Sequence, residues 1–143
     1  MKKIIVSVDG SSHSLRAIQK AKEISQAFDS HIILINAIDN IHYYNFETQI
    51  IIYDEFNELE ASRRRSKILL EKSKESLKDI EDRVETVTLE GDPSHVIIEY
   101  INASDADLVI IGSHGVKGIK RFMLGSLVSK VVHQSEKNVL IVR

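Results

Sequence analysis

Residues 107–126 read Asp-Leu-Val-Ile-Ile-Gly-Ser-His-Gly-Val-Lys-Gly-Ile-Lys-Arg-Phe-Met-Leu-Gly-Ser, DLVIIGSHGVKGIKRFMLGS. The run from Leu108 to Ile111 has strand length and no polar alternation, which suits a strand covered by helices on both faces. Four of the chain's six glycines follow it, at Gly112, Gly115, Gly118 and Gly125. A helix is predicted from about Ser126 to Ser135. The stretch is therefore a buried strand, a glycine-rich loop and a helix, the repeating unit of a parallel α/β sheet.

The same unit recurs in both directions along the chain. Ile4-Ile-Val-Ser-Val8 is a β-branched strand ending at Asp9-Gly10, and Ser11 or Ser12 offers an N-cap oxygen for a helix reaching about Phe28. Leu15, Ala17, Ile18, Ala21, Ile24 and Phe28 recur at helical steps and are expected on its buried face. His31 to Ile38 is a second continuous apolar strand. The stretch 39–54 is an irregular connection or short helix, and Glu55 to about Asp82 is predicted as one long, mostly solvated helix. Val84 to Leu89 alternates as a third strand. Gly91-Asp92-Pro93-Ser94 ends it and opens another helix, with Asp92 as N-cap and Pro93 in the first turn, where its missing N–H costs nothing. Val96, Ile97, Tyr100 and Ile101 are its expected buried side, and the last strand is Val139 to Val142.

The order β-α-β-α-β-α-β-α-β predicts one domain, residues 1–143, built on a five-stranded, mostly parallel sheet with helices on both faces. Ligands of such sheets sit beyond the C-terminal strand ends, where strand order reverses. Asp9, Ala37 to Asp39 and Gly112 all fall on that edge.

Composition narrows the function classes. At 143 residues, with 43% apolar and 28% charged residues, the chain matches a single soluble globular domain. The absence of cysteine excludes disulfides, thiolate metal sites and thiol nucleophiles. Nineteen basic against twenty-one acidic residues, with pI near 6.3, lack the basic excess of a nucleic-acid-binding domain. The N-terminal apolar run is broken by Asp9 before it reaches signal-peptide length, and no run approaches the roughly 18 apolar residues of a membrane span. A cytoplasmic address and no membrane partner are the expectations.

Glycines between a buried strand and a helix let backbone amides approach an anion, and the helix start adds unpaired donors and a positive dipole end. Ser126 can add a hydroxyl or cap the helix, and Lys117, Lys120 and Arg121 place positive charge nearby. A flexible connection would need glycines too. Neither G-x-x-x-x-G-K-[ST] nor G-x-G-x-x-G occurs, and no G-x-S-x-G elbow marks a serine hydrolase. His13, His31, His42, His95, His114 and His133 show no close metal-ligand spacing. Of these, His114 lies in the glycine loop within reach of a ligand. Arg63-Arg64-Arg65 splays round a helix as a solvated face, and Tyr43 and Tyr44 are packing residues or a lid.

Four segments, in order over nearly the whole chain, carry a resemblance: VSVDGS at 6–11, EGDPSHVI at 90–97, DADLVIIGSHG at 105–115 and LGSLVSKVVHQSEKNVLIVR at 124–143. Together they resemble the universal stress protein family (UspA-like), in its ATP-binding branch. The family's nucleotide motif, G-x-x-G, nine residues, then G-[ST], is matched by Gly112, Gly115, Gly125 and Ser126. The resemblance implies a Rossmann-like, adenine nucleotide alpha hydrolase-like fold and ATP, with Mg2+ near Asp9, as the ligand. It also implies a nucleotide site made of Asp9, Gly10, Ser11, Ala37, Gly112, Ser113, Gly115, Gly125, Ser126, Leu127 and Val128, and a homodimer through Val139 to Val142. Where the family often has Ser or Thr and then Glu after the Gly-Ser pair, this chain has Val128 and Ser129, which removes a phosphate hydroxyl. Its usual Cys-Pro before the last strand is Lys137-Asn138.

The resulting expectation is a nucleotide-dependent regulatory or stress-response protein without a catalytic residue. The alternatives are a slow ATPase, a nucleotide-free dimeric interaction module and a flavodoxin-like carrier. The last would put its phosphate loop after the first strand, where Asp9 places an anion.

Overall fold

The computed structural model describes residues 1–40, 53–116 and 123–143, with the backbone alone for 53–56. Among these residues five strands, β1 (Lys3–Ser7), β2 (His31–Ile38), β3 (Val84–Glu90), β4 (Leu108–Gly112) and β5 (Asn138–Val142), alternate with four α-helices: α1 (Ser12–Phe28), α2 (Tyr53–Glu75), α3 (Pro93–Ala103) and α4 (Ser126–Gln134). The strands form one sheet in the order β3-β2-β1-β4-β5, and every pairing is parallel. The chain works outward from β1 through β2 to β3, then crosses back over α3 to β4 on the other side of β1. Strand order therefore reverses between β1 and β4, and the crevice beyond their C-terminal ends is the topological switch point.

Period-two alternation divides the apolar residues between two cores. Ile4, Val6, Val8, Ile32, Leu34 and Ile110 pack with Ala17, Ile18 and Ala21 of α1 and Leu70 of α2. Ile5, Ile33, Ile35, Val109 and Ile111 pack with Ile97 and Ile101 of α3 and Val128 and Val131 of α4. Burial on both faces explains why β1, β2 and β4 read as continuous apolar runs, whereas Thr86 and Thr88 of the outer strand β3 are exposed.

Two local expectations are corrected. Leu15 and Phe28 of α1 are exposed, at 54% and 61%, while Ser14 and Ser25 join Ala17, Ile18 and Ala21 on the buried face. Leu15 lies about 100° round the helix from Ser14, off that face, and Phe28 is the last residue of the helix. The predicted helix from Glu55 to Asp82 is two elements, α2 and a 3-10 helix at Lys78–Arg83. Leu77 and Ile80 are buried at 0% and 3% exposure. Their three-residue spacing puts both on one side of a 3-10 turn, so both reach the core as the chain bends into β3.

The arginine run lies on α2. Arg63 forks onto both carboxylate oxygens of Glu90 in β3, with Nε 2.7 Å from Oε1 and Nη2 3.0 Å from Oε2, and it also meets Glu60. Arg65 pairs with Glu58. Among the described residues no helix is long and apolar enough to cross a membrane. Tyr43, Tyr44, His42, Lys117, Gly118, Lys120 and Arg121 lie outside the described residues.

Candidate functional site

At the switch point the ends of β1 and β4 and the starts of α1 and α4 enclose a cleft of about 330 Å3. Asp9, Gly112, Gly115, Gly125, Ser126, Leu127 and Val128, all singled out from sequence, line it. Gly10, Ser11 and Ser113 adjoin it. Ala37 stands at the end of β2, paired with Leu89 of β3, and is not part of its lining.

The β1 side is a closed local network. Ser11 caps α1, its Oγ accepting from the Ser14 N–H at 3.1 Å, and its own N–H donates to Asp9 Oδ1 at 2.9 Å. Ser14 Oγ donates to the Ser11 carbonyl at 3.0 Å. With Oδ1 engaged, the second oxygen of Asp9 points at the glycine loop: a Cβ on Gly115 would come within 2.9 Å of Oδ2. Gly112 lies under α1, where a Cβ would sit 2.7 Å from the His13 carbonyl carbon and 2.9 Å from the Ser14 nitrogen. A side chain at 112 would push α1 off the sheet.

The two ends of the loop meet at Ser113. Its N–H donates to the Val142 carbonyl of β5 at 2.7 Å, and its carbonyl accepts from the Gly125 N–H at 3.0 Å. That second bond fixes the start of α4 beside β4. Gly125 is the N-cap of α4 and brings no side-chain cap, so the first-turn amides face the cleft without an internal acceptor. Val128 is buried against the core at 3% exposure. Only its backbone N–H is free to serve a ligand, and the same geometry makes Ser126 the exposed hydroxyl of this turn.

Sequence reasoning did not single out Ser7, Ser14, Ile111 and Val116, which also line the cleft. Ser7 left a legible signal as the one polar residue inside an apolar strand, and it is 7% exposed. His114 completes the lining. Its ring lies 5.1 Å from that of His13, and its Nδ1 is 3.0 Å from Ser113 Oγ. Burial, then Arg16 and His114, push the His13 imidazole pKa below its ordinary value, while Asp9 pulls it up. His31, His95 and His133 are exposed and distant in sequence, and no group of three or more metal-ligating side chains occurs among the described residues.

An all-parallel sheet with an uncapped helix start and a glycine loop at its switch point is a class of α/β protein suited to an anionic ligand. The family model described as the universal stress protein family matches residues 1–143, and the chain belongs to that family. It is 28% identical to a universal stress protein of Methanocaldococcus jannaschii over 99% of this chain and 82% of that one. Its fold matches universal stress protein UspA from Lactobacillus plantarum with a TM-score of 0.86 at 23% identity, over 99% of this chain and 97% of that one. It also matches a universal stress protein solved in complex with cAMP, with a TM-score of 0.72 at 25% identity, over 99% and 97% of the two chains.

Proposed function

We propose that the cleft binds ATP with Mg2+, and that this protein is a cytoplasmic nucleotide-dependent regulator whose liganded state is read by other proteins. The observation that carries the reading is the gap at Gly115. With no Cβ at Gly115, Asp9 Oδ2 sits against the loop backbone in the same cleft that the uncapped first turn of α4 lines, and a phosphate group with its metal ion is assigned to that cleft. The cAMP complex of a structurally similar family member supports an adenine nucleotide as the ligand class.

The residues divide the work by chemistry. Backbone amides of Gly115, Ser126, Leu127 and Val128, with the Ser126 hydroxyl, hold phosphate oxygens. Gly112 and Ser113 keep the loop in place, and Gly10 and Ser11 hold Asp9. A lone carboxylate facing phosphate repels it unless a cation lies between them. Mg2+ is bound by one or two carboxylates together with phosphate oxygens, and Asp9 is the one acidic group among the described lining residues. The backbone of Ala37, one strand away, is assigned to the adenine. The strand β5 lies at the edge of the sheet, and an apolar edge strand is commonly covered by a partner. A homodimer through Val139 to Val142 is assigned to that edge.

A ligand that binds only the folded state stabilises it by about 2.7 kcal/mol at a hundredfold excess over Kd. Millimolar ATP with Mg2+ should therefore raise the melting temperature, and denaturing freshly purified protein should release an adenine nucleotide. An unmoved melting temperature together with an empty extract would refute the reading.

A further inference from the structure

We propose that Ser7 is a ligand-contacting residue of the same cleft, its hydroxyl hydrogen-bonding a ribose hydroxyl of the nucleotide. This rests on the nucleotide reading above and adds a side chain, at the end of β1, that the glycine motif does not contain.

The argument begins with an unpaired hydroxyl. Ser7 is the last residue of β1 and follows Ile4, Ile5 and Val6, in a strand that is buried on both faces. At 7% exposure it is itself buried, and its Oγ makes no hydrogen bond among the described residues. Buried hydroxyls are ordinarily paired, because leaving one unpaired is costly. Unlike the Nε2 of His114, this oxygen is not closed off from solvent, and Ser7 forms part of the cleft wall. Its missing partner therefore has a way in.

Alternation along the strand fixes where the side chain points. Val6 and Val8 pack into the core under α1 and α2, and Ile5 into the core under α3 and α4, so Ser7 projects to the α3 and α4 side. Its register partners are Ile35 of β2 and Ile111 of β4, and both belong to that same face. Ala37, two residues beyond Ile35, shares the face as well.

That face also orders the ligand. The phosphates are assigned to the glycine loop and the first turn of α4, beyond the end of β4, and the adenine to Ala37 at the end of β2. β1 lies between β4 and β2, with neighbouring strands about 4.8 Å apart. The sugar joins phosphate to base, so it crosses the end of β1, over Ser7. A serine hydroxyl can both donate and accept, as a ribose hydroxyl can, and their pairing buries no charge. Ile111 and Val128, which line the cleft with Ser7, offer the sugar carbons an apolar contact.

The test is titration calorimetry on wild type and Ser7→Ala with ATP, 2′-deoxy-ATP and 3′-deoxy-ATP, at fixed pH and Mg2+. Ser7→Ala should weaken ATP roughly twofold to tenfold, the usual range for a neutral hydrogen bond. The deoxy ligand that lacks the partner hydroxyl should bind wild type and Ser7→Ala alike. Equal ATP affinity for the two proteins, or an equal loss with all three ligands, overturns the inference while leaving the nucleotide reading intact. A wild type that binds none of the three overturns both. Should Ser7→Ala fail to fold, Ser7→Cys, which keeps the shape but has only a weak donor, is titrated with the same three ligands, and the same outcomes decide.

Discussion

The Cα of Gly115 faces the carboxylate of Asp9 so closely that an added Cβ would lie 2.9 Å from Oδ2. The obstacle is the end of an exposed side chain, which can swing away, so the fold tolerates a substituent at 115 even though the cleft does not. Gly115→Val should keep its thermal stability within about 1 kcal/mol of wild type, as surface substitutions do, and lose the stabilisation by ATP and Mg2+. Parallel melting curves with and without nucleotide check both halves. Retained stabilisation by ATP would move the phosphate site away from the loop.

Gly112 presents the opposite case. A Cβ there meets backbone, at 2.7 Å from the His13 carbonyl carbon and 2.9 Å from the Ser14 nitrogen, and backbone at a helix start has nowhere to go. Gly112→Ala should cost about 1–3 kcal/mol of folding stability, the usual range for overpacking. At Gly125 the nearest atom to an added Cβ is 3.6 Å away, an ordinary contact. Gly125→Ala should stay within about 1 kcal/mol of wild type, a small helix-capping effect. Urea denaturation of the two variants gives the contrast directly, and equal losses would contradict it.

These two glycines show what was legible in the sequence and what was not. Continuous apolar runs at Ile4 to Val8, His31 to Ile38 and Leu108 to Ile111, each followed by a helical pattern, sufficed for the sheet and its parallel sense. Strand order was a matter of connection rules, and Asp9 and Gly112 fall together because those rules bring β1 beside β4. The break after α2 was hidden because Leu77 and Ile80 also fit a helical stripe, and only their joint burial reveals the tighter turn. Ser14 escaped notice as a site residue because a buried serine differs from a solvent-facing one only by its surroundings. The role of Ser113 was illegible for the same reason, since its bonds run to Val142 and Gly125, partners distant from it in sequence.

Acid should loosen the start of β1. Asp107 Oδ2 accepts the Lys2 N–H at 2.6 Å and the Lys3 N–H at 3.0 Å, and these bonds hold its carboxyl below the usual value of 3.8. A folded-state pKa below the unfolded one means that the ionised form is favoured by folding. The stabilisation is therefore complete above the unfolded pKa and is lost as pH falls through 3.8 towards the folded value. The melting temperature of wild type should drop between pH 5 and pH 3 by more than that of Asp107→Asn, which has no such proton to take up. Calorimetric scans at several pH values test this, and parallel curves for the two proteins would contradict it.

Asp9 should set the metal dependence of binding. Its Oδ1 is occupied by the Ser11 N–H and its Oδ2 faces the gap at Gly115, so one negative oxygen stands where phosphate is proposed to bind. Without a divalent ion that charge repels the ligand, and with Mg2+ between them it becomes attractive. Chelating the metal should therefore weaken ATP binding to the wild type. Asp9→Asn removes both the repulsion and the metal contact: it should bind metal-free ATP at least as tightly as wild type and gain little when Mg2+ is restored. Titrations of both proteins with ATP, in EDTA and in excess Mg2+, give the four affinities needed. An Asp9→Asn variant with the full Mg2+ response would show that the metal is held by phosphate and water alone, leaving Asp9 to fix the turn through Ser11.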